Sequence, residues 1–569
     1  MTRWIIKDSP APDAELRRLI TSELSVSDFA ADVLALRGIS GEGELEKLIQ
    51  QDTAGLNPPF LFEDMEKAVL RIKKAVDAGE KIVIYGDYDV DGVTAIVILS
   101  CFFNKYMGYK NTDYYIPHRQ DEGYGLNKEA VKSIAEGGAS LLITVDCGIS
   151  AKEEAEYAVS LGMDIIITDH HLPPEGGLPG AAAVINPKTS KAYPDKDLSG
   201  AGVAYKLVSA LAEKAGMDLK EDFLDFAALG TVADIVPLSE ENRAIVRRGF
   251  KRLRNTLNPG LRALKEAAGL AKDVKITTYH AGFILGPRIN AAGRLEHARS
   301  AVELFLTDDS KKAEETAAAL NRINDDRKKQ MKAAEEEAVA RVAETFNPEE
   351  DFVIVVYDGK WNPGIAGLVA SRIMNKFYRP VFVLTGGEDG LVHGSARSIK
   401  TVNIFDALKS AAGMLERFGG HRLAAGVKLK EENIPDFRTA LNDYMKKTHN
   451  EDDFKPFIEI DMLLNSPITV RDIRAIELLE PWGEGNPRPV FAMEGVDIID
   501  IKLYKNNTMK FYGKQSRRLF NFILFGYDAR DAELVKKGAI LDIAFTASVN
   551  EWQGDESVCL EVKDIKSRN

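Results

Sequence analysis

Short apolar runs alternate with longer amphipathic stretches through the first part of the chain. The apolar runs lie at about 82–86, 141–145, 164–168 and 182–185. Strands that alternate with helices predict βαβ units, in which helices cover a parallel sheet. The amphipathic stretches that we predict to be the helices lie near 64–78, 92–106, 127–136, 151–161 and 199–215.

The pattern changes twice in the second part of the chain. Residues 309–345 hold no Gly or Pro and are rich in Ala, Glu and Lys, which predicts a long connecting helix. A smaller α/β block follows, and then several short β-like segments that are typical of an oligonucleotide-binding barrel. We therefore expect five parts: a helical N-terminal segment (1–60), a parallel-sheet domain (61–308), the helix (309–345), a second α/β domain (346–451) and the barrel (452–569).

Composition narrows the class of protein. With 45% hydrophobic and 28% charged residues, the 569-residue chain is typical of globular proteins. Three scattered cysteines and a start without an apolar signal core favour the cytoplasm. No apolar run is long enough to span a bilayer, so we expect no membrane role. The net charge of −13 argues mildly against nucleic-acid binding, although 243–254 reads as a basic helix or an ordinary solvated face.

The apolar run at 82–86 leads directly into three acids at alternate positions, Asp87, Asp89 and Asp91. If the strand continued through them, all three would share one face and would repel each other unless a cation bound there. An EF-hand calcium loop and a haloacid-dehalogenase-type phosphatase begin with similar letters. The calcium loop needs Glu at its twelfth position, where this chain has Ile98.

Two more predicted strands end at acids. Asp146 follows 141–145, and Asp169, His170 and His171 follow 164–168. Ligands bind beyond the carboxyl ends of parallel strands, so these groups should meet, together with Asp234 from an apolar segment. Six acids and two histidines suit two divalent ions, with Mn²⁺ favoured over Mg²⁺ because of the imidazoles. The phosphatase alternative leaves Asp146 and the histidines unexplained.

These motifs resemble those of the DHH phosphoesterase superfamily, and more closely the RecJ family of single-strand-specific exonucleases. The resemblance extends to further segments: Pro117 to Leu126, Gly286 to Arg294, Gly394 to Ser398, Gly419 to Gly426 and Leu479 to Pro487. One departure is Asn362, where the family pattern has His. The chain also ends soon after the barrel, so we expect it to lack the additional C-terminal domain of longer members.

The resemblance implies a metal-dependent 5′→3′ exonuclease that degrades single-stranded DNA to mononucleotides in repair and recombination. It implies as metal ligands Asp87, Asp89, Asp91, Asp146, His170 and Asp234. His171 would act at the scissile phosphate, with Asp146 and Asp169 as further catalytic residues. The alternatives are a DHH phosphoesterase for short oligonucleotides or cyclic dinucleotides, and a non-catalytic strand-binding scaffold. A single-strand-binding protein and a helicase are expected partners.

Arginine forks match phosphate oxygens, which makes Arg288 and Arg294, in a loop-like segment, and Arg397, near a strand end, candidates for binding the strand. By position in the similar motifs, the substrate-binding set also includes Arg119, Asn290, Ser395, Gly420 and His421. Barrel aromatics are candidates for base stacking, although most are expected in the core. They are Tyr504, Phe511, Tyr512, Phe520 and Trp552.

Overall fold

The N-terminal segment holds a strand as well as the predicted helices. The computed structural model describes residues 2–7, 12–50, 55–118, 122–123, 125–295, 297–387, 390–464, 466, 468–552 and 554–568. Met1–Leu56, Pro237–Ala244 and Pro456–Asn569 form one unit, and Asn57–Val236 with Ile245–Lys455 forms the other. The first elements are β1 (Arg3–Ile6), α1 (Ala14–Leu24), α2 (Asp28–Leu36) and α3 (Glu42–Ile49).

Strand and helix then alternate as the hydrophobic pattern predicts. The elements are α4 (Met65–Ala78), β2 (Lys81–Gly86), α5 (Val90–Cys101), β3 (Thr112–Tyr115), α6 (Lys128–Glu136), β4 (Ala139–Val145), α7 (Lys152–Ser160), β5 (Asp164–Thr168), β6 (Ala183–Ile185), α8 (Gly200–Lys214), α9 (Leu224–Ala233), α10 (Glu240–Arg254), α11 (Pro259–Ala267), α12 (Gly286–Leu295) and α13 (Arg299–Leu306). Helix α10 is the predicted basic helix, and its Arg248 and Arg252 form ion pairs with Glu221 and Asp222.

The first sheet has the strand order β3-β2-β4-β5-β6, and every pairing in it is parallel. Strands β2, β4 and β5 are nearly continuous apolar runs because helices cover both faces. Their last residues are in register: Gly86 pairs with Val145, and Val145 pairs with Thr168. The residues that follow these strands therefore emerge side by side at one edge of the sheet.

The predicted connecting helix is present as α14 (Ser310–Thr345). Its interior-facing stripe packs first against α11, α12 and α13 and then against the second α/β domain. The sequence of α14 contains no glycine or proline that would break the helix and is rich in alanine, which favours helix most strongly. It therefore stays helical through its whole length, with its buried residues on one stripe.

The second domain is a mixed sheet with the order β10-β11-β9-β8-β7, in which only β7 and β8 are parallel. The pattern did not predict β10, which ends at the Gly419–Gly420 pair. Its elements are β7 (Ile354–Asp358), α15 (Pro363–Phe377), β8 (Val381–Gly386), β9 (Val392–Arg397), α16 (Ile404–Ser410), β10 (Leu415–Gly420), β11 (Ala424–Leu429) and α17 (Ile434–Thr448).

The C-terminal strands close into the predicted barrel. Its order is β14-β15-β16-β18-β17, and β17 pairs back onto β14. Strand β1 adds to β12 in parallel, and Phe29 of α2 packs edge-on against Phe491. The elements are β12 (Phe457–Ile460), β13 (Met462–Leu463), α18 (Val470–Glu477), β14 (Phe491–Tyr504), β15 (Thr508–Gln515), β16 (Arg518–Phe525), α19 (Ala529–Leu534), β17 (Ile540–Trp552) and β18 (Asp555–Ser567).

Candidate metal centre

Acidic residues follow three neighbouring strands of the first sheet. Asp87, Asp146 and Asp169 come directly after the paired strand ends of β2, β4 and β5. All three are at most 3% exposed. Asp146 also has a positive φ of 59°, a backbone conformation that residues with a β-carbon rarely adopt. The fold therefore gathers buried carboxylates at one sheet edge.

The extended backbone of β2 does not continue through the three acids at 87–91. The expectation that Asp87, Asp89 and Asp91 share one face of a strand is therefore wrong. Asp89 is the N-cap of α5, and its Oδ1 accepts hydrogen bonds from the backbone amides of Asp91 and Gly92 at 2.9 and 3.2 Å. A short carboxylate bonded to its own backbone starts a helix at this point. Asp91 consequently lies in the first helical turn and accepts from the amides of Gly200 and Ala201 at 2.6 and 2.9 Å.

The acids divide into two groups of potential ligands, with a third group that overlaps both. In each group the ligand atoms lie within 4.8 Å of one another. His170 Nε2 is 3.2 Å from Asp146 Oδ1 and 3.4 Å from Asp234 Oδ2. The structure thus brings together all six predicted ligands. The groups are Asp87, Asp89 and Asp146; Asp91, His170 and Asp234; and Asp146, His170 and His171.

The electrostatics of this cluster favour a bound cation. Burial, reinforced by the charges of neighbouring acids, raises the pKa of Asp91 to about 7 and that of Asp234 to about 9. The same causes raise the pKa of Asp146. Burial and then the charge of His171 lower the pKa of His170 to about 3, so its imidazole is neutral at neutral pH and able to ligate a metal. Buried oxygens with one imidazole nitrogen fit a divalent cation such as Mn²⁺ or Mg²⁺.

Three glycines lie so close to the acids that a side chain at any of them would clash with an acidic residue. A β-carbon at Gly200 would lie 2.5 Å from Asp146 Cβ, and one at Gly92 would lie 2.5 Å from Asp87 O. A β-carbon at Gly230 would clash with Asp91 Oδ1. Sequence reasoning missed Gly200 and Gly230, because nothing local distinguishes them from other helical glycines.

His171 lies on the more open side of the cluster, with 37% of its side chain exposed. Its Nδ1 is 2.7 Å from Asp169 Oδ1. Burial lowers the pKa of His171, but the hydrogen bond and charge of Asp169 outweigh burial and raise the pKa overall. Asp169 also accepts hydrogen bonds from the backbone amides of Ile149, His170 and His171, so its carboxylate is fixed.

A turn after the edge strand β6 supports both histidines and was missed from the sequence. Asn186 is fully buried and donates its amide to the carbonyl oxygen of His171 at 3.0 Å. Lys188 Nζ donates to the carbonyl oxygen of His170. Asn186 follows a strand just as the acids do, since Ile185 pairs with Thr168. That position after a strand could have identified Asn186 from the sequence as part of the site.

The candidate substrate-binding arginines lie on regular elements. The segment with Arg288, Asn290 and Arg294 is helix α12 and not the expected loop. Arg294 Nη1 donates to the carbonyl oxygen of Gly364 at 3.0 Å, which ties α12 to α15. Arg397 ends β9 as predicted, and its Nη1 donates to Ala396 O at 2.8 Å.

Ser395 lines a cavity of about 470 Å³ in the second α/β domain, together with His393, Arg417 and Lys428. Gly420 has a φ of 146° at the tip of the β10–β11 hairpin, and His421 beside it is exposed. Arg119 lies outside the described residues. Among the described helices, none has an apolar stretch of the length that a bilayer span requires.

Three family models match the chain. The DHH family, N-terminal domain matches residues 81–231, the DHHA1 domain 350–447 and the RecJ OB domain 460–564. The single-stranded-DNA-specific exonuclease RecJ of Bacillus subtilis is 39% identical over 99% of this chain and 70% of its own length. The protein of the same name from Haemophilus influenzae is 34% identical over 93% of this chain and 94% of its own.

Solved structures agree with the sequence relatives. RecJ of Thermus thermophilus in complex with Mn²⁺ has a TM-score of 0.85 and 30% identity, covering 100% of this chain and 80% of that one. The Mg²⁺ complex of the same protein has a TM-score of 0.79 and 28% identity, covering 100% and 79%. The chain has a cluster of potential metal ligands at the sheet edge and a closed barrel, and its relatives match it nearly end to end. The chain therefore belongs to the RecJ family.

Proposed function

We propose that this protein is a metal-dependent exonuclease that hydrolyses single-stranded DNA from its 5′ end and releases mononucleotides, in DNA repair and recombination. The observation that carries the proposal is that two groups of potential metal ligands lie side by side. Asp146 belongs to one group and His170 to the other, and these two residues also form a third group with His171. The relatives' name, single-stranded-DNA-specific exonuclease, supplies the substrate class. The polarity and the mononucleotide products are taken from the family resemblance.

Two divalent ions are proposed, one per ligand group. Asp87, Asp89 and Asp146 would hold the first, and Asp91, His170 and Asp234 would hold the second. Such a pair, when bound, polarises the phosphodiester and lowers the pKa of an attacking water. The imidazole of His170 favours Mn²⁺ over Mg²⁺, because Mg²⁺ prefers oxygen ligands.

His171 is proposed to act on the scissile phosphate through Nε2. Asp169 accepts from Nδ1, which fixes the tautomer and raises the pKa of the ring. The protonated ring can then donate to a phosphate oxygen or to the departing oxygen. Asn186 and Lys188 bind the backbone carbonyl oxygens of His171 and His170, which helps to hold both rings in position.

The strand is proposed to run from the metal centre toward the second α/β domain and its cavity. The proposed contacts are Arg119, Arg288, Asn290, Arg294, Ser395, Arg397, Gly420 and His421. A single-strand-binding protein and a helicase are the proposed partners, because strand-degrading nucleases need exposed single strands. The three free cysteines are consistent with the proposed cytoplasmic location.

One experiment tests activity, polarity and sugar preference together. Single-stranded DNA and RNA, labelled at the 5′ or the 3′ end, are digested in parallel with Mn²⁺ and with Mg²⁺. We expect mononucleotides to appear first from the 5′-labelled DNA, more rapidly with Mn²⁺. Asp146→Ala should abolish hydrolysis and leave strand binding largely intact. Full activity in that variant would contradict the two-metal site, and binding without hydrolysis by the wild type would indicate a scaffold.

A further inference from the structure

Two polar side chains interrupt the buried face of the long helix α14. Asn324 is 0% exposed and Arg327 is 8% exposed. Both are spaced along the helix so that they fall on the same stripe as the apolar residues before and after them. Those apolar residues are at most 5% exposed and are Ala313, Ala317, Leu320, Ala334 and Ala338.

Arg327 has no anionic partner among the residues that the structure describes. Its Nε is enclosed and makes no hydrogen bond, and neither amide atom of Asn324 makes one. Burial lowers the pKa of Arg327, and the only neighbouring charge that adds to the shift is another cation, Arg288. A buried guanidinium without an acid is costly for a folded protein. The position is therefore suited to a negative group, and the residues that the structure describes supply none to Arg327.

Arg288 approaches the same place from α12. Its Nε donates to Asn321 Oδ1 at 3.0 Å, and its Nη1 donates to Ile284 O at 2.6 Å. Both acceptors are neutral. The acid whose charge acts on Arg288 is Asp325, which accepts from the Nδ2 of the same Asn321 at 3.3 Å, so Arg288 has an acid nearby but makes no ion pair with it among the described residues. Two guanidiniums from two helices, flanked by side-chain amides, match the oxygens of a phosphate group.

The location connects the metal centre to the second domain. On one side, α12 packs closely against the acidic turn, since a β-carbon at Gly293 would lie 2.9 Å from Tyr88 O. On the other side, Gln330, one turn beyond Arg327, accepts from Asn362 Nδ2 at 3.5 Å. Asn362 caps α15, whose Pro363 lines the 470 Å³ cavity. Arg327 thus lies on the helix that spans the two regions.

We propose that Arg327, with Arg288 and Asn324, binds a backbone phosphate of the single strand between the metal centre and this cavity. The assignment rests on the proposed function for the identity of the strand. The phosphate of a released mononucleotide has the same chemistry, so the experiment distinguishes the two sources.

The test compares three variants of the full chain. Arg327→Met removes the buried charge and keeps the length of the side chain, and Arg322→Met makes the same change at an exposed position of the same helix. Asn324→Asp places a carboxylate beside Arg327 and so fills the site internally. Thermal unfolding is measured for each. Binding of a fluorescent oligo-dT is measured by anisotropy across a salt series, with Ca²⁺ replacing Mn²⁺ to slow hydrolysis, and inhibition by dTMP is measured with Mn²⁺.

We expect Arg327→Met and Asn324→Asp to unfold at the wild-type temperature or above it. Both should bind oligo-dT at least tenfold more weakly, and the salt dependence of Arg327→Met should fall by about one unit of slope, as for one lost phosphate contact. Arg322→Met should bind as the wild type does. Inhibition by dTMP should change less than twofold.

Unchanged oligo-dT affinity in Asn324→Asp with a higher unfolding temperature would mean that the pair serves the fold alone, and would overturn the proposal. A large change in dTMP inhibition with unchanged strand affinity would move the site to the product and would also overturn it. If Arg327→Met does not fold, Asn324→Asp still decides the question. Because binding is measured without turnover, a wild type that lacks exonuclease activity refutes the proposed function separately.

Discussion

Asp169 Oδ1 lies 2.7 Å from Nδ1 of His171, and the same carboxylate is held by three backbone amides. The acid therefore fixes both the tautomer and the orientation of the ring. It also keeps the pKa of His171 above its usual value, despite the opposing effect of burial.

Replacing Asp169 with Asn should slow the chemical step. We expect kcat to fall by about 100-fold, the scale of one positioned acid–base group, and KM to change by no more than about threefold. The pKa of His171 should drop once the carboxylate is gone. If the reaction needs the protonated ring, the alkaline limb of the kcat–pH profile should shift to lower pH.

The matched measurement is the double variant with His171→Gln. Since both residues act as one unit, the double variant should be about as slow as His171→Gln alone. If the reduction in kcat of the double variant equals the product of the two single reductions, Asp169 acts independently of the histidine, for example by holding the backbone of Ile149.

Asp234→Asn should stabilise the metal-free protein increasingly as pH rises. In the folded, metal-free protein, burial and then the charges of Asp91 and Asp89 raise the pKa of Asp234 from an ordinary value of 3.8 to about 9. The unfolded chain releases this proton at lower pH than the folded one, so wild-type stability falls between those two pH values. In EDTA, the unfolding temperature of the variant should exceed that of the wild type more at pH 8 than at pH 5.

Added Mn²⁺ should reverse this order. Metal replaces the proton at the wild-type site, so the wild type should gain more in unfolding temperature at pH 8 than Asp234→Asn does. Equal gains in the two proteins would place Asp234 outside the metal site.

Gly200→Ala should damage the metal centre, and Gly202→Ala should not. A β-carbon at Gly200 would lie 2.5 Å from Asp146 Cβ, whereas one at Gly202 would meet nothing closer than 3.5 Å. We expect Gly200→Ala to cost about 1–3 kcal/mol of stability and to weaken Mn²⁺ binding measured by calorimetry. Gly202→Ala, two residues along the same buried helix, should be neutral or slightly stabilising. Indistinguishable variants would show that Asp146 has room to shift.

The hydrophobic pattern was sufficient for most of the fold because buried parallel strands are plain apolar runs that end sharply. The strands it missed lack that property. Thr112–Tyr115 is a short edge strand, and Asp555–Ser567 alternates charged and apolar residues because one side faces solvent. Their pairing partners, and not their own letters, make them strands.

Three acids of the site, Asp87, Asp146 and Asp169, could be found from the sequence because each follows a strand, whereas Asp234 ends helix α9 and was indicated by its apolar segment. Their division into two groups could not, since it depends on Asp89 capping α5 and turning Asp91 toward α8. Gly200 and Gly230, which pack against the acids, lie in α8 and α9, more than a hundred residues after Asp87 and Asp91 in the sequence. Only the folded chain brings them against the carboxylates.

In the barrel, Tyr504 and Phe511 should respond to truncation in opposite ways. Tyr504 is 44% exposed, and Lys502 Nζ lies 5.2 Å from its ring centre, a combination suited to stacking a base beside a phosphate. Phe511 is fully buried and stacks on Phe522 with ring centres 5.2 Å apart. The side chain of Trp552 lies outside the described part of the chain.

Tyr504→Ala should therefore weaken oligo-dT binding by about tenfold, within the range for one stacked base, and leave urea unfolding unchanged. Phe511→Ala should cost about 3–5 kcal/mol in urea unfolding of the full chain, because it opens a cavity in the barrel core. Tyr504→Phe is the control, since it keeps the ring and should bind nearly as the wild type does. Unchanged affinity in Tyr504→Ala would exclude this ring from the strand-binding surface and leave the other exposed barrel residues to be tested.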